Sequence, residues 1–265
     1  MKGPSISIIV AALDEQDGLA PSVHAIQAAL NDICSYEIIV VDDGSRDRTG
    51  AIADDLAAGS AGIRVIHNPC NLGLGGSYRR GFELVRGQYT LLIPADNETP
   101  SDTIRAIAKQ AGRADIIVTH TLNWYIRPVH RWILSHLYTA IVNALFGFRL
   151  RYYNGNCLIR SAALRTIALD TSGSAYMTAI LVRLLKQGYS YAGIGIMLQP
   201  RCGARRPLGL RSFIDVARSI GRLWVEVRLL PVLRRGSPAA ASPRPTLPVG
   251  GKEAAEGEDP ARVNL

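Results

Sequence analysis

Cysteine is scarce in this chain of 265 residues, and the few present stand far apart. Cys34, Cys70, Cys157 and Cys202 lie 36, 87 and 45 residues from one another, with no CxxC pair. A structural zinc site and a disulfide framework are therefore not expected, and a reducing, cytoplasmic setting fits best. Long hydrophobic runs are missing as well. The longest uncharged apolar stretch, Trp132 to Phe148, has 17 residues and is broken by Ser135, His136 and Asn143. A bilayer span needs about 20 predominantly apolar residues, so this stretch is read as a buried or membrane-skimming helix. The opening MKGPSISIIVAALDE reaches acids by Asp14, so no secretory leader is expected. Aromatic residues make up only 6%, and lysine is rare: 26 of the 30 basic residues are arginine, which suits forked contacts to phosphate.

The remaining composition, 48% apolar and 20% charged, is that of a globular protein with one substantial core. It excludes a disordered chain, a collagen-like fibre and a coiled coil. The net charge of +8 is unevenly placed. Residues 1–200 carry 18 basic and 16 acidic side chains, residues 201–235 nine arginines and two acids, and residues 236–265 three basic and four acidic. A single basic segment of this kind can meet nucleic acid, anionic lipid or a phosphorylated substrate. Nucleic acid is disfavoured, because the first 200 residues are nearly neutral and no recognition motif occurs.

Hydrophobic periodicity alternates between strand and helix over the first 120 residues. Runs at 6–10 and 37–41 that are apolar and β-branched except for Ser7 and Glu37 predict buried parallel strands, with further strands at 63–66, 89–93 and 115–119. Between them, helices are predicted over 18–30, 49–58 and 75–85, and from Ser101 as N-cap. This alternation implies an α/β layer fold with a mainly parallel sheet. Beyond residue 120 the rhythm changes: a helix over 131–146, an extended or turn segment over 151–159, a helix over 176–186, a strand over 189–198 and an amphipathic helix over 210–230. In that last helix Arg211, Arg218 and Arg222 share a narrow sector, and Phe213, Ile220, Leu223, Trp224, Val227 and Leu230 supply apolar surface. Such a helix either lies on an anionic membrane or packs on the domain. From Gly236 the chain is rich in Pro, Ala, Gly and Glu, and is read as a disordered tail.

Three acidic motifs follow predicted strands, where ligands of open α/β sheets bind. They are Leu13-Asp14-Glu15, Asp42-Asp43-Gly44-Ser45 and Pro94-Ala95-Asp96-Asn97-Glu98. Asp42 and Asp43 are read as ligand-facing carboxylates, with a turn and helix cap as the structural alternative. Asp96 and Glu98 could both turn toward one divalent ion, with nucleotide phosphates supplying further oxygens. The Gly-rich segment 71–76 lacks GxGxxG spacing and follows the third strand, so a NAD-type site is not indicated.

Taken in order, SIIVAALDE, EIIVVDDGSRDRTG, NLGLGGSYRRGFE and YTLLIPADNE resemble glycosyltransferase family 2. Residues 131–210 resemble, more loosely, that family's polyprenyl-phosphate sugar synthases of the dolichyl-phosphate mannosyltransferase type. The resemblance implies a GT-A (Rossmann-like) α/β fold: a mixed, mainly parallel sheet flanked by helices, with a C-terminal amphipathic helix. It divides the chain into a catalytic domain at 1–208, an amphipathic helix suited to a membrane surface at 209–235 and the tail at 236–265. The implied donor contacts are Ala11, Leu13, Glu15, Val41, Asp42, Asp43, Ala95, Asp96 and Glu98. Ala and Leu stand at positions 11 and 13, where relatives carry Pro and Tyr, which reduces stacking on the base. Asp96 matches the second Asp of the family's metal motif, Pro94 replaces the first, and Glu98 offers a substitute oxygen. The implied cofactor is Mg²⁺ or Mn²⁺ on Asp96 and Glu98. Arg201 and Arg206 match a loop that closes on phosphates, and Arg127 and Arg131 are candidates for an acceptor phosphate. Where relatives carry an acid on the helix at 176–186, this chain has Ala179.

The expected activity is inverting transfer of a sugar from a nucleotide-diphosphate sugar to a polyprenyl phosphate. Transfer to a saccharide hydroxyl in cell-envelope synthesis and a non-catalytic nucleotide-sugar-binding role are the alternatives. The expected location is the cytoplasmic face of a membrane, held peripherally, with a membrane-protein partner or self-association possible.

Overall fold

The computed structural model describes residues 3–126, 128–171, 173–201 and 210–228. A seven-stranded sheet runs through it: β1 (Gly3–Ala12), β2 (Cys34–Asp42), β3 (Ile63–His67), β4 (Tyr89–Pro94), β5 (Ile116–Thr121), β6 (Leu158–Arg160) and β7 (Tyr191–Ile196). The strand order is β3-β2-β1-β4-β6-β5-β7. All pairings are parallel except those of β6, which runs antiparallel to both β4 and β5. The α/β expectation is borne out, and the sheet is mixed because of that one strand. β6 is only three residues long, too short to leave a hydrophobic period in the sequence.

The β-branched runs form central strands because both faces of the sheet are covered. Ile6, Ile8, Val10 and Ala12 of β1 point to one core, shared with α1 (Leu19–Leu30), α2 (Thr49–Ala58) and α4 (Ser101–Ala108). Ile9 and Ala11 point to the other, shared with α3 (Gly73–Phe82), α5 (Val129–Phe146) and α7 (Tyr176–Lys186). A short helix, α6 (Ser161–Leu164), follows β6 directly.

Three local expectations are corrected. Ser101 is the first residue of α4, and Pro100 is its N-cap, set in the extended conformation that its own ring and position favour. The helix expected over 75–85 is α3, which starts two residues earlier, at Gly73, and ends at Phe82. Of the two readings of the long apolar stretch, buried or membrane-skimming, burial does not hold for α5: only Thr139, Val142 and Phe146 are enclosed, while Val129, Ile133, Leu137 and Ile141 form an exposed apolar stripe. No helix among the described residues is long and apolar enough to cross a membrane.

The amphipathic helix α8 (Leu210–Arg228) turns Ile220 and Leu223 into the second core, so packing on the domain is the outcome for that face. Arg218 and Arg222 stay exposed on the other. The side chains of 210–213, Arg211 among them, and all of 229–265 lie outside the described residues, as does the expected tail.

Candidate active site

The parallel strands β1, β2 and β4 end level with one another: Ala12 pairs with Asp42, and Ala11 with Pro94. The chain runs from β1 outward through β2 to β3, then returns to β4 on the other side of β1. This is the switch point where the loops of an open α/β sheet part to admit a ligand.

The first two loops are laced together. Asp14 stands in the left-handed region, at φ 51°, which Asp tolerates better than most residues. Its N–H donates to Ser45 Oγ at 3.0 Å, and its carboxylate accepts the Arg46 N–H at 2.8 Å. The Glu15 N–H donates to Thr49 Oγ1 at 2.8 Å, and the Gln16 N–H to Asp47 Oδ2 at 3.2 Å. Asp42 is almost enclosed, with Oδ1 accepting the Ser45 N–H at 3.0 Å and Oδ2 3.0 Å from His67 Nδ1. Burial alone would raise its pKa; the bonds from Ser45 and His67 outweigh that and hold it below the ordinary carboxylate value. Asp43 accepts from Asn68 Nδ2 at 2.8 Å and from the N–H groups of Leu72 and Gly73, each at 2.9 Å. It thereby caps α3, whose own N-cap, Leu72, has no oxygen to offer.

The third loop carries Asp96. Asn97 is also left-handed, at φ 55°, and its N–H donates to Ser22 Oγ. Gln199 donates from Nε2 to the Asn97 carbonyl at 2.7 Å and from its N–H to the Glu98 carbonyl at 2.9 Å. The segment after β7 is thus sewn to this loop, and it delivers Arg201, whose guanidinium pairs with Glu15 and lies 3.7 Å from Asp96 Oδ2. Burial, then the charge of Glu98, pushes the Asp96 carboxyl above its usual range, and Arg201 opposes the shift.

Asp96, Glu98 and Arg201 form one end of a cavity of about 890 Å³. The far walls come from the end of β5 (His120), from a 3-10 turn at Trp124–Ile126, from α5 (Arg131, Trp132, Leu134), and from the segment after it (Arg151, Asn154). The Nη1 of Arg151 lies 3.5 Å from His120 Nε2, and burial followed by that guanidinium keeps the His120 pKa below 6.5. Trp124 packs on Trp132, with centroids 5.8 Å apart, and Trp132 on His136 at 4.2 Å.

Several expected site residues are brought together here: Glu15 with Arg201 and Asp96, and Glu98 and Arg131 on the same cavity. Leu13 is half-buried beside Asp14. The Ala11, Val41 and Ala95 side chains are enclosed in the two cores, so only their backbone could meet a donor. Ala179 is likewise enclosed and does not line the cavity. Arg127 and Arg206 lie outside the described residues. His120, Trp124, Trp132 and Arg151 were not expected from the sequence.

Among the described residues no group of three or more His, Cys, Asp or Glu forms a ready-made metal site. Asp96 and Glu98 nonetheless suit a divalent ion shared with a ligand. They are two carboxylates on one cavity, close enough that one raises the other's pKa. Mg²⁺ is commonly held by one or two carboxylates together with substrate phosphates.

Gly18 makes the closest approach between these loops. A Cβ on it would stand 2.3 Å from the Ala95 carbonyl oxygen and 3.2 Å from the Asp96 Cα. Gly18→Ala must displace the backbone that presents Asp96, and a misplacement of about 1 Å can cost roughly a hundredfold in rate. Any turnover that depends on Asp96 is expected to fall by about that factor in Gly18→Ala, with far-UV circular dichroism unchanged. Wild-type turnover would refute this placement of the loop.

Three comparisons bear on this arrangement. The model described as "Glycosyl transferase family 2" matches residues 7–171. The undecaprenyl-phosphate 4-deoxy-4-formamido-L-arabinose transferase of Pseudomonas fluorescens is 30% identical over 189 residues, which are 70% of this chain and 54% of that protein. The polyprenol monophosphomannose synthase of Mycolicibacterium smegmatis is 27% identical over 210 residues, 73% of this chain and 77% of that one. The chain spans about half the length of the first of these. In fold it is similar to the glucosyl-3-phosphoglycerate synthase of Mycobacterium tuberculosis, solved with Mn²⁺ and UDP-glucose, at a TM-score of 0.65 and 16% identity, covering 85% of this chain and 79% of that one. That likeness supports the GT-A architecture. With the family's motifs at the ends of β1, β2 and β4 and the match extending over more than half its length, the chain belongs to glycosyl transferase family 2.

Proposed function

We propose that the chain moves a sugar from a nucleotide-diphosphate sugar to a polyprenyl phosphate, with inversion at the anomeric carbon. One observation carries this reading: a single cavity joins Asp96, Glu98 and Arg201 to Arg131, Arg151 and the aromatic wall of α5. A donor diphosphate suits the first end, and an anionic headgroup with an apolar tail suits the second. Relatives whose names specify undecaprenyl, polyprenol or dolichol phosphate chemistry support the same assignment. The exposed apolar stripe of α5 favours a peripheral position on a membrane.

In this reaction an acceptor phosphate oxygen attacks the anomeric carbon. The bond from that carbon to the diphosphate oxygen breaks, and the nucleoside diphosphate leaves with the electron pair. The acceptor is already anionic, so no strong general base is needed; an enclosed Ala179 where relatives carry an acid is consistent with that. Asp42 and Asp43 hold the nucleoside end. Arg201 turns from Glu15 toward the diphosphate and neutralises its developing charge. Asp96 and Glu98 would hold Mg²⁺ or Mn²⁺, which would supply further neutralisation of the leaving group. Arg131 holds the acceptor phosphate.

The test is transfer of radiolabel from UDP-, GDP-, CDP- and dTDP-sugars to undecaprenyl phosphate in anionic vesicles, with Mn²⁺ present. Label in the organic phase, labile to mild acid, is expected with one nucleotide class. Label appearing only on added oligosaccharides would move the assignment to hydroxyl transfer. Binding of a donor without any turnover would leave a non-catalytic protein.

A further inference from the structure

His67 closes β3 and stands between two carboxylates on different elements. Its Nδ1 lies 3.0 Å from Asp42 Oδ2 on β2, and its Nε2 lies 3.0 Å from Asp54 Oδ1 on α2. A neutral imidazole has one N–H and one lone pair. With a carboxylate at each nitrogen, the neutral ring would turn a lone pair onto an anionic oxygen; only the imidazolium satisfies both. Room for this arrangement is left by Gly50, where a Cβ would come within 2.9 Å of Asp42 Oδ2 and 3.6 Å of the ring.

We infer that His67 is a positioning residue for donor binding: it locks the Asp42 carboxylate in the orientation that meets the nucleoside and makes donor affinity depend on its own protonation. The inference rests on the reading of Asp42 as a nucleoside contact. Asp42 has one oxygen tied to the Ser45 N–H and the other to the ring, so the carboxylate cannot rotate, and its remaining lone pairs have fixed directions. Asp42 and Asp54 are the charged groups that act on the ring, and both raise its pKa above 6.5 against the opposing effect of burial. The ring is about half exposed, at 46%, so it exchanges protons with solvent. The imidazolium, with its charge beside Asp42, is therefore held to a higher pH than a free ring would keep it, and is lost as pH rises through a value above 6.5.

The experiment is calorimetric titration of UDP and GDP between pH 5.5 and 9. For the nucleotide that binds, wild-type affinity is expected to fall about tenfold as pH rises through the ring's titration. His67→Gln offers Asp42 one neutral N–H, as the deprotonated ring does, so it should bind with a flat pH profile near the high-pH affinity of the wild type. Asp54→Asn keeps the Asp42 contact and weakens the hold on the proton, so its decline should begin at lower pH. Should His67→Gln retain the wild-type pH dependence, or should Asp54→Asn leave it unmoved, the inference is wrong. If Asp42→Ala binds either nucleotide as tightly as the wild type, it is the nucleoside-contact reading that fails. Both glutamine and asparagine variants preserve side-chain volume and hydrogen bonding, so the comparison does not depend on a truncated protein folding.

Discussion

Asp96→Asn is expected to lower sugar transfer by about a thousandfold without lowering the melting temperature at neutral pH. The two halves of this result have one cause. The Asp96 carboxyl is held above its usual range by burial and by Glu98, so the ionised form is disfavoured in the folded chain. That cost appears as pH rises above the unfolded carboxylate value near 3.8 and is complete above the raised folded value. A neutral amide does not bear it, and its oxygen can still accept the Glu98 N–H, now bonded at 3.1 Å. What the amide loses is the charge that a divalent ion needs and that Arg201 faces. Electrostatic groups aimed at developing charge are each worth about 10²–10³ in rate. Melting curves with Mn²⁺ and the cognate nucleoside diphosphate supply the second readout: the wild type should gain stability by mass action, and Asp96→Asn should lose the Mn²⁺-dependent part. Activity within tenfold of the wild type would remove Asp96 from the reaction. A large drop in melting temperature would mean that the carboxylate serves the fold.

The carboxylates at the strand ends were legible in the sequence, and most of the far cavity wall, Arg131 apart, was not. The inner parts of β1, β2 and β4 are enclosed on both faces, so their residues read as mostly apolar runs, and the acids that follow stand out at the boundary. The antiparallel β6 is three residues long and α6 four, below any useful period. α5 shows the limit of composition. A stretch of Trp, Ile and Leu predicts burial, yet most of this helix faces outward, because apolar residues mark a surface to be covered without saying what covers it. The cavity wall of His120, Trp124, Trp132 and Arg151 comes from segments that touch only in three dimensions. One signal was available: residues 116–169 contain six arginines and no acid. That imbalance falls on the elements that line the cavity beyond Asp96, where the proposed anionic headgroup and membrane surface would both favour it. Asp42 and Asp43 illustrate a different blind spot. Ligand contact and turn-making were weighed as alternatives, but both carboxylates anchor backbone N–H groups, and lone pairs remain for a ligand as well.

Arg183→Ala is expected to destabilise the chain by about 2–3 kcal/mol and to weaken acceptor binding while sparing the donor. α7 is enclosed on every side from Tyr176 to Leu184, so a guanidinium within it requires partners. It has them on two separate segments. Nε and Nη2 fork onto Glu226 of α8 at 3.0 and 2.7 Å, and Nη1 donates to Asp170 at 2.7 Å and to the Ala168 carbonyl at 2.5 Å. Removing one partner of a fully buried pair typically costs about 3–5 kcal/mol. Here Glu226 and Asp170 are 42% and 62% exposed and can be rehydrated, which places the expectation at the lower figure. At about 2–4 °C per kcal/mol, the melting temperature should fall by roughly 4–12 °C. Arg183→Lys should recover little, because an ammonium cannot fork onto Glu226. The functional consequence follows from the same geometry. Glu226 sits between Leu223 and Val227 on the face of α8 that packs into the core, and Val216 on that helix lines the cavity. Once α8 is loosened, the acceptor wall opens, while Asp42, Asp43 and Asp96 keep their own anchors. The KM for undecaprenyl phosphate should therefore rise several-fold, with nucleotide affinity unchanged. A double-mutant cycle with Glu226→Ala isolates the pair, and a coupling energy near zero would show that α8 is held by its apolar face alone.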